Sequence, residues 1–123
     1  MKVLDIMNKN VVTCYPHEKL PVIINKLELF HITGMPVVEK GNLVGIISLT
    51  HVLKAVRTGS VQDVLVQDVM TTQVITVSPT DSAINVAKIM VEKGINRLPV
   101  VEDEKVVGIV TRGDMIKAVA ICE

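Results

Sequence analysis

The sequence predicts an α/β protein made of two β-α-β-β-α repeats, packed sheet to sheet about a pseudo-two-fold axis. Three observations carry this expectation. The chain matches itself at a shift of 63: Val3–Val56 lies on Val66–Val119 without a gap, and 17 of the 54 pairs are identical. Val and Ile together supply 36 of the 123 residues, against one Phe, one Tyr and no Trp, a ratio that suits sheets packed with branched side chains. Punctuating residues also repeat in register: Pro16 with Pro79, Pro36 with Pro99, Gly45 with Gly108. Self-similarity of this kind marks a duplicated structural unit.

Each copy reads in the same order. A β-rich run, Asn10–Cys14 or Gln73–Val77, ends just before a Ser/Tyr-Pro pair. A helix follows, with apolar residues at Leu20, Ile23, Ile24 and Leu27 in the first copy and Ala83, Val86, Ala87 and Met90 in the second. Both sets have i, i+3, i+4, i+7 spacing, which makes one buried stripe. Ser78-Pro79-Thr80-Asp81 carries helix-start signals and Gly94 a stop. Two short strands come next, Met35–Glu39 with Leu43–Ser48 and Leu98–Glu102 with Val106–Thr111. Lys40-Gly41-Asn42 and Asp103-Glu104-Lys105 separate them as hairpin turns. A last helix starts near Thr50 and near Gly113. The domain reading is a first repeat over 1–58 and a second over 59–123. A unit of this size is marginal alone, so packing two copies together has a structural rationale before any function enters.

Composition narrows the function. Thirteen basic residues balance thirteen acidic ones, so no sign bias draws in a polyanion, and the scarcity of aromatics removes the usual stacking platform for bases. Nucleic acid is therefore disfavoured as a partner. No apolar run exceeds five residues and the first ten residues carry no secretory pattern, so a cytoplasmic protein without a membrane span is expected. Cys14 and Cys122 read as buried or free thiols rather than a disulfide. His17 and His31 read as exposed polar residues, and no Cys or carboxylate stands at ligand spacing around His51, so no metal is expected. Neither a phosphate-binding glycine loop nor a nucleophile motif is present, which argues against an enzyme.

Arg97-Leu98-Pro99-Val100-Val101 and Val107-Gly108-Ile109-Val110-Thr111-Arg112-Gly113-Asp114, with their counterparts in the first copy, resemble the cystathionine-β-synthase (CBS) domain. Two in tandem resemble a Bateman module, and the resemblance covers Val3–Val119. It implies a regulatory protein whose inter-repeat clefts hold an adenosine-containing ligand: AMP, ADP, ATP or S-adenosylmethionine. It implies that Thr111 and Asp114 hold phosphate and ribose, with Arg97 reaching phosphate. Asn10, Val11, Val12, Ile32, Thr33 and Pro36 would hold the base. The residue types suit these roles. Thr111 and Gly113 stand at a helix start, where free N–H groups favour an anion, and Gly113 lets a ligand approach the backbone. An ionised Asp is acceptor-only and fits two ribose hydroxyls. Thr111-x-x-Asp114 is equally a capping box in form.

The first copy departs from this pattern. Ser48 keeps the hydroxyl, but His51 replaces the Asp. A neutral imidazole accepts one hydrogen bond where a carboxylate accepts several. The cleft of Ser48, His51, Gln73, Val74, Ile75, Ile95 and Asn96 is therefore expected to be the weaker one. A homodimer is expected from apolar helix residues beyond those one sheet needs, among them Phe30, Val52, Val56, Met115, Ile116 and Val119. The ligand sensor would act on an enzyme or transporter. Two other readings stand beside it: a dimerisation module with vestigial clefts, and a nucleic-acid-binding module using Lys54 and Arg57.

Overall fold

The computed structural model describes residues 1–122, with side chains through Ala120. The fold is mixed α/β, and the chain divides into two compact units. One comprises Val12–Val74; the other joins Met1–Val11 to Ile75–Glu123. Packing unit and sequence repeat thus divide the chain at different places. The first eleven residues pack with the second copy, and the segment opening the second copy packs with the first.

In the Val12–Val74 unit, α2 (Leu20–Phe30) follows the very short α1 (Val3–Ile6) of the other unit in chain order. Leu20, Ile23 and Leu27 form the expected buried stripe, with Ile24 partly buried beside them. Pro21 is tolerated in the first turn, where its missing N–H has no helical partner anyway. His31 ends α2 in the left-handed region at φ 53°, the position Gly94 occupies in the second copy at φ 63°. Strands β1 (Gly34–Glu39) and β2 (Asn42–Ser48) form an antiparallel hairpin with an irregularity after Val37. Glu39 pairs with Asn42, so the turn is the two-residue Lys40-Gly41, both at positive φ, and Asn42 belongs to the strand. After α3 (Leu49–Thr58), α4 (Val66–Val69) delivers Val66 into the core of Cys14, Leu20, Ile23, Met35, Val37, Ile47 and Val52. Ile46 and Thr71 then exchange both backbone hydrogen bonds, 2.9 and 3.0 Å.

The other unit repeats this arrangement. Helix α5 (Ala83–Lys93) buries Val86 and Met90, and Ser82 caps it by accepting Asn85 N–H at 3.1 Å. Strands β3 (Arg97–Glu102) and β4 (Lys105–Thr111) pair with the same irregularity, now after Val100. Their turn is Asp103-Glu104, with Lys105 in the strand. Helix α6 (Arg112–Cys122) follows directly, its Cys122 side chain lying outside the described residues. Val3 enters the core with Val77, Val86, Leu98, Val100 and Val110, and Asn8 bridges to Ile109.

The expected first strand of each copy is reduced to a single parallel bridge, Cys14 to Val37 and Val77 to Val100. The other residues of Asn10–Cys14 and Gln73–Val77 pair with no strand. Cys14 takes Pro36 O at 3.1 Å and gives its own carbonyl to Val38 N–H at 2.8 Å. Val52, expected on an outer apolar face, is a core residue at 3% exposure.

Candidate functional site: two capped hairpin ends

Arg97 opens β3 and Thr111 closes β4, and the two are partners across the hairpin. Because β4 runs straight into α6, Thr111 also stands at the helix start, with Gly113 and Asp114 in the first turn. The Asp114 Oδ2 accepts the Thr111 backbone N–H at 2.9 Å and the Thr111 hydroxyl at 3.1 Å. The Asp114 N–H in turn points to Thr111 Oγ1 at 3.3 Å. This is a reciprocal capping box, so the cap reading of Thr111-x-x-Asp114 holds within the chain itself. Arg112 is tied to Asn96 twice, N–H to carbonyl at 3.0 Å and guanidinium to Oδ1 at 3.3 Å. Four of the sequence-predicted residues, Arg97, Thr111, Gly113 and Asp114, therefore gather at one hairpin end.

Two properties of this end bear on chemistry. Burial holds the Arg97 guanidinium below its ordinary pKa, yet a guanidinium stays protonated in proteins, so Arg97 is a half-buried cation on the residue that pairs across the hairpin with Thr111. Gly113 is exposed, and a Cβ built on it would meet only Thr111 Oγ1, at an ordinary 3.6 Å. Nothing in the fold requires glycine there. Asn10 and Val11 belong to the same unit; Asn10 is exposed, its N–H held by Asn8 Oδ1 at 2.9 Å, and Val11 is half-buried. Ile75 and Asn96 are exposed and Ile95 half-buried in this unit too.

The Val12–Val74 unit has the matching end, built around Ser48 and His51. The His51 Nδ1 accepts the Ser48 backbone N–H at 2.9 Å and lies 3.1 Å from Ser48 Oγ. Its Nε2 is 3.0 Å from Thr71 Oγ1. The imidazole thus caps α3 as the Asp114 carboxylate caps α6. Leu49 N–H bonds Thr33 O at 2.8 Å, the counterpart of Arg112 on Asn96. Val12, Ile32 and Val74 are half-buried; Thr33 and Gln73 are exposed. Pro36, in β1, is fully buried, and its carbonyl accepts the Cys14 N–H at 3.1 Å. Thr71 was not anticipated. Its only sequence signal is that it follows Met70 as Asn8 follows Met7.

An open depression of about 280 Å³ lies beside His51, lined also by Lys54, Ala55, Thr58 and Val69. Another of about 280 Å³, lined by Ala87, Met115, Ile116 and Val119, lies between α5 and α6. Among the described residues no group of three His, Cys, Asp or Glu is placed to hold a metal, and no helix is long and apolar enough to cross a membrane.

With the fold and both ends in place, the chain belongs to the CBS-domain family: the family's model matches residues 3–58 and again 66–121. It is thus a tandem CBS pair. An uncharacterised protein of Methanocaldococcus jannaschii, MJ1426, is 35% identical, the match covering 96% of this chain and 90% of the relative. Four further curated relatives are longer, and the chain spans between 40 and 60% of their length. Among solved structures, the CBS domain pair of protein MJ0100 in complex with 5′-methylthioadenosine and S-adenosyl-L-methionine superposes with a TM-score of 0.91 at 30% identity, covering 100% of this chain and 98% of that one. CBSX2 in complex with AMP superposes with a TM-score of 0.88 at 26% identity, covering 98% and 97%.

Proposed function

We propose that this CBS pair is a regulatory, non-catalytic protein of the cytoplasm that binds an adenosine-containing ligand and passes its occupancy to an enzyme or transporter. The ligand class is AMP, ADP, ATP or S-adenosylmethionine, by similarity to the two solved pairs that hold AMP and adenosyl compounds. The observation that carries the reading is Gly113. It is a glycine the fold does not need, at an exposed helix start, between a hydroxyl and a carboxylate, with the half-buried Arg97 paired across the hairpin from Thr111. Backbone N–H groups at such a start favour an anion. Thr111 and Asp114 are assigned to phosphate and ribose and Arg97 to phosphate. Asn10 and Val11 are assigned to the base. Val12, Ile32 and Thr33 are assigned base contacts on the family resemblance alone. The end built on Ser48 and His51 is assigned the weaker site, with Gln73, Val74, Ile75, Ile95 and Asn96.

Thermal shift with each of the four ligands tests this. A bound ligand raises the midpoint with the logarithm of its saturation. At least one adenosine compound is expected to bind with a Kd of about micromolar order, about −8 kcal/mol. No shift with any of the four at millimolar concentration would leave the dimerisation reading in its place. The proposal includes a homodimer. Leu53 and Val56 on α3, and Ile116 and Val119 on α6, are each half exposed or more, an apolar set that a second copy would cover. Light scattering at micromolar concentration should exceed the 13.4 kDa of one chain.

A further inference from the structure

Each unit closes a glycine notch with a methionine thioether. Met7 and Met70 end the short helices α1 and α4, and they are the same residue at the shift of 63. Met7 Sδ lies 2.5 Å from where a Cβ on Gly108 would stand, and Met70 Sδ lies 2.6 Å from the same point on Gly45. Each sulfur thus fills the space that a side chain on the strand would need. Both glycines are buried, whereas both methionines are half-buried and packed on the core of their own unit. The residue after each methionine bridges to a strand. Asn8 exchanges both backbone hydrogen bonds with Ile109, at 2.9 and 3.0 Å, as Thr71 does with Ile46. Sulfur and bridge together pin the end of each short helix to its hairpin. The backbone atoms nearest the notches are acceptors: Thr71 O is 2.9 Å from the Cβ point of Gly45, and Asn8 O is 3.3 Å from that of Gly108.

We propose that Met7 and Met70 are paired redox latches: oxidation of the thioether by a peroxide drives the side chain out of its glycine notch and frees the end of α1 or α4 from the adjoining strand. In that step the sulfur lone pair attacks one oxygen of hydrogen peroxide and the O–O bond breaks. An S–O bond forms, and after proton transfer the other oxygen leaves as water. Sulfur is oxidised by two electrons and the peroxide reduced by two. The product is a polar sulfoxide in place of a flexible apolar group. Glycine has no side-chain donor to meet the new oxygen, and the carbonyl oxygens of Thr71 and Asn8 repel it. Burying a polar group without a hydrogen bond is costly. The effect differs from a swing that merely makes room for an added methyl. There the methyl fills the notch and the sulfur stays in apolar contact, whereas a sulfoxide leaves for water and empties the notch. Methionine sulfoxide reductases reverse the oxidation, so the latch can reset. Beyond Met7 the chain runs on to Asn10 and Val11, so opening there would loosen two assigned base contacts. That consequence rests on the proposed ligand site; the latch itself does not.

Limited hydrogen peroxide treatment of the full, ligand-free chain, followed by peptide mass spectrometry and amide hydrogen exchange, tests this. Met7 and Met70 are expected to oxidise in the folded chain, after Met1 at 53% exposure and before Met35 and Met90 at 0% and 9%. Once both are sulfoxides, protection of the Asn8, Ile109, Ile46 and Thr71 amides should fall at least about tenfold, the scale of one buried unpaired polar group. The Val38 and Val101 amides, bonded to Cys14 O and Val77 O, should hold. Treatment with a methionine sulfoxide reductase should restore the lost protection. The double variant Met7→Leu with Met70→Leu keeps apolar side chains of similar volume and should keep its protection under peroxide. Unchanged protection at the four amides with both methionines oxidised would overturn the proposal. So would an equal fall at Val38 and Val101, or oxidation of Met7 and Met70 only after unfolding. All three readings come from the unmodified chain, so they stand even if the variant does not fold, and none depends on a ligand.

Discussion

Gly45 lies directly under Met70: a Cβ on Gly45 would stand 2.6 Å from Met70 Sδ and 2.9 Å from the carbonyl oxygen of Thr71. Gly108 has the same relation to Met7, at 2.5 Å from Sδ, but the nearest backbone atom, Asn8 O, is 3.3 Å away. A thioether can swing aside, whereas Thr71 O is fixed by the Ile46 N–H bond of 2.9 Å. Gly45→Ala should therefore cost about 2–3 kcal/mol, as overpacking does, and Gly108→Ala clearly less. Urea unfolding of the two variants measures the difference, and equal losses would contradict it.

The second hairpin turn is strained where the first is relieved. Asp103 and Glu104 lie at φ 52° and 67°, while the matching turn places Gly41 at the second position. Two-residue turns with both residues at positive φ favour glycine there. Glu104→Gly should stabilise the protein by about 1 kcal/mol and raise the melting midpoint by about 4 °C. An unchanged or lower midpoint would show that the turn side chain makes a compensating contact.

Cys14 is at 1% exposure, and burial, then the nearby Glu18 charge, pushes its thiol up from 9.0 to about 12. An acid whose folded value is raised contributes stability that is fully present below the unfolded value and lost as pH rises through the folded one. The window is thus pH 9 to about 12. Stability should fall with pH across it, and Cys14→Ala should flatten that slope. At pH 8 Cys14 should resist a thiol reagent until the chain unfolds.

How the repeats were legible follows from what repeats. The shift of 63, the helix stripes and the Pro and Gly positions appear in the sequence because they answer to local geometry, and each has its place in the fold. The exchange of N-terminal segments left no such trace. Val3 and Val66 are the same residue in the same context, so nothing in the letters says which core each joins. Helices α1 and α4 are four residues long, too short to show a period. Asn10–Cys14 has strand composition but only one bridge, since its other backbone groups face no strand partner. The gathering of Arg97 with Thr111 and Asp114 was legible through the hairpin. The burial of Pro36 was not, because it depends on which strand lies against Cys14.

The two hairpin ends should differ in ligand affinity. Asp114 offers a carboxylate, whereas both nitrogens of His51 are engaged by Ser48 and Thr71. Loss of one charge-assisted bond amounts to about 1.5 kcal/mol, so the second site should be about tenfold weaker or more. Calorimetry should find one dominant site per chain, and His51→Asp should strengthen the other. Two equal sites in the unmodified protein would contradict the asymmetry.

The central claim is that an adenosine-containing ligand sits against the start of α6, and Gly113→Ala tests it most directly. The added methyl meets only Thr111 Oγ1 at 3.6 Å, so folding should not suffer, and replacing a helical glycine should raise stability by up to about 1 kcal/mol. A ligand that approaches the backbone there would meet the methyl instead. Calorimetric titration with AMP and with S-adenosylmethionine should show binding to the unmodified chain weakened at least about tenfold in the variant, a loss of about 1.4 kcal/mol, at an equal or higher melting midpoint. Unchanged affinity in Gly113→Ala for the adenosine compound that the unmodified chain binds would contradict the assignment.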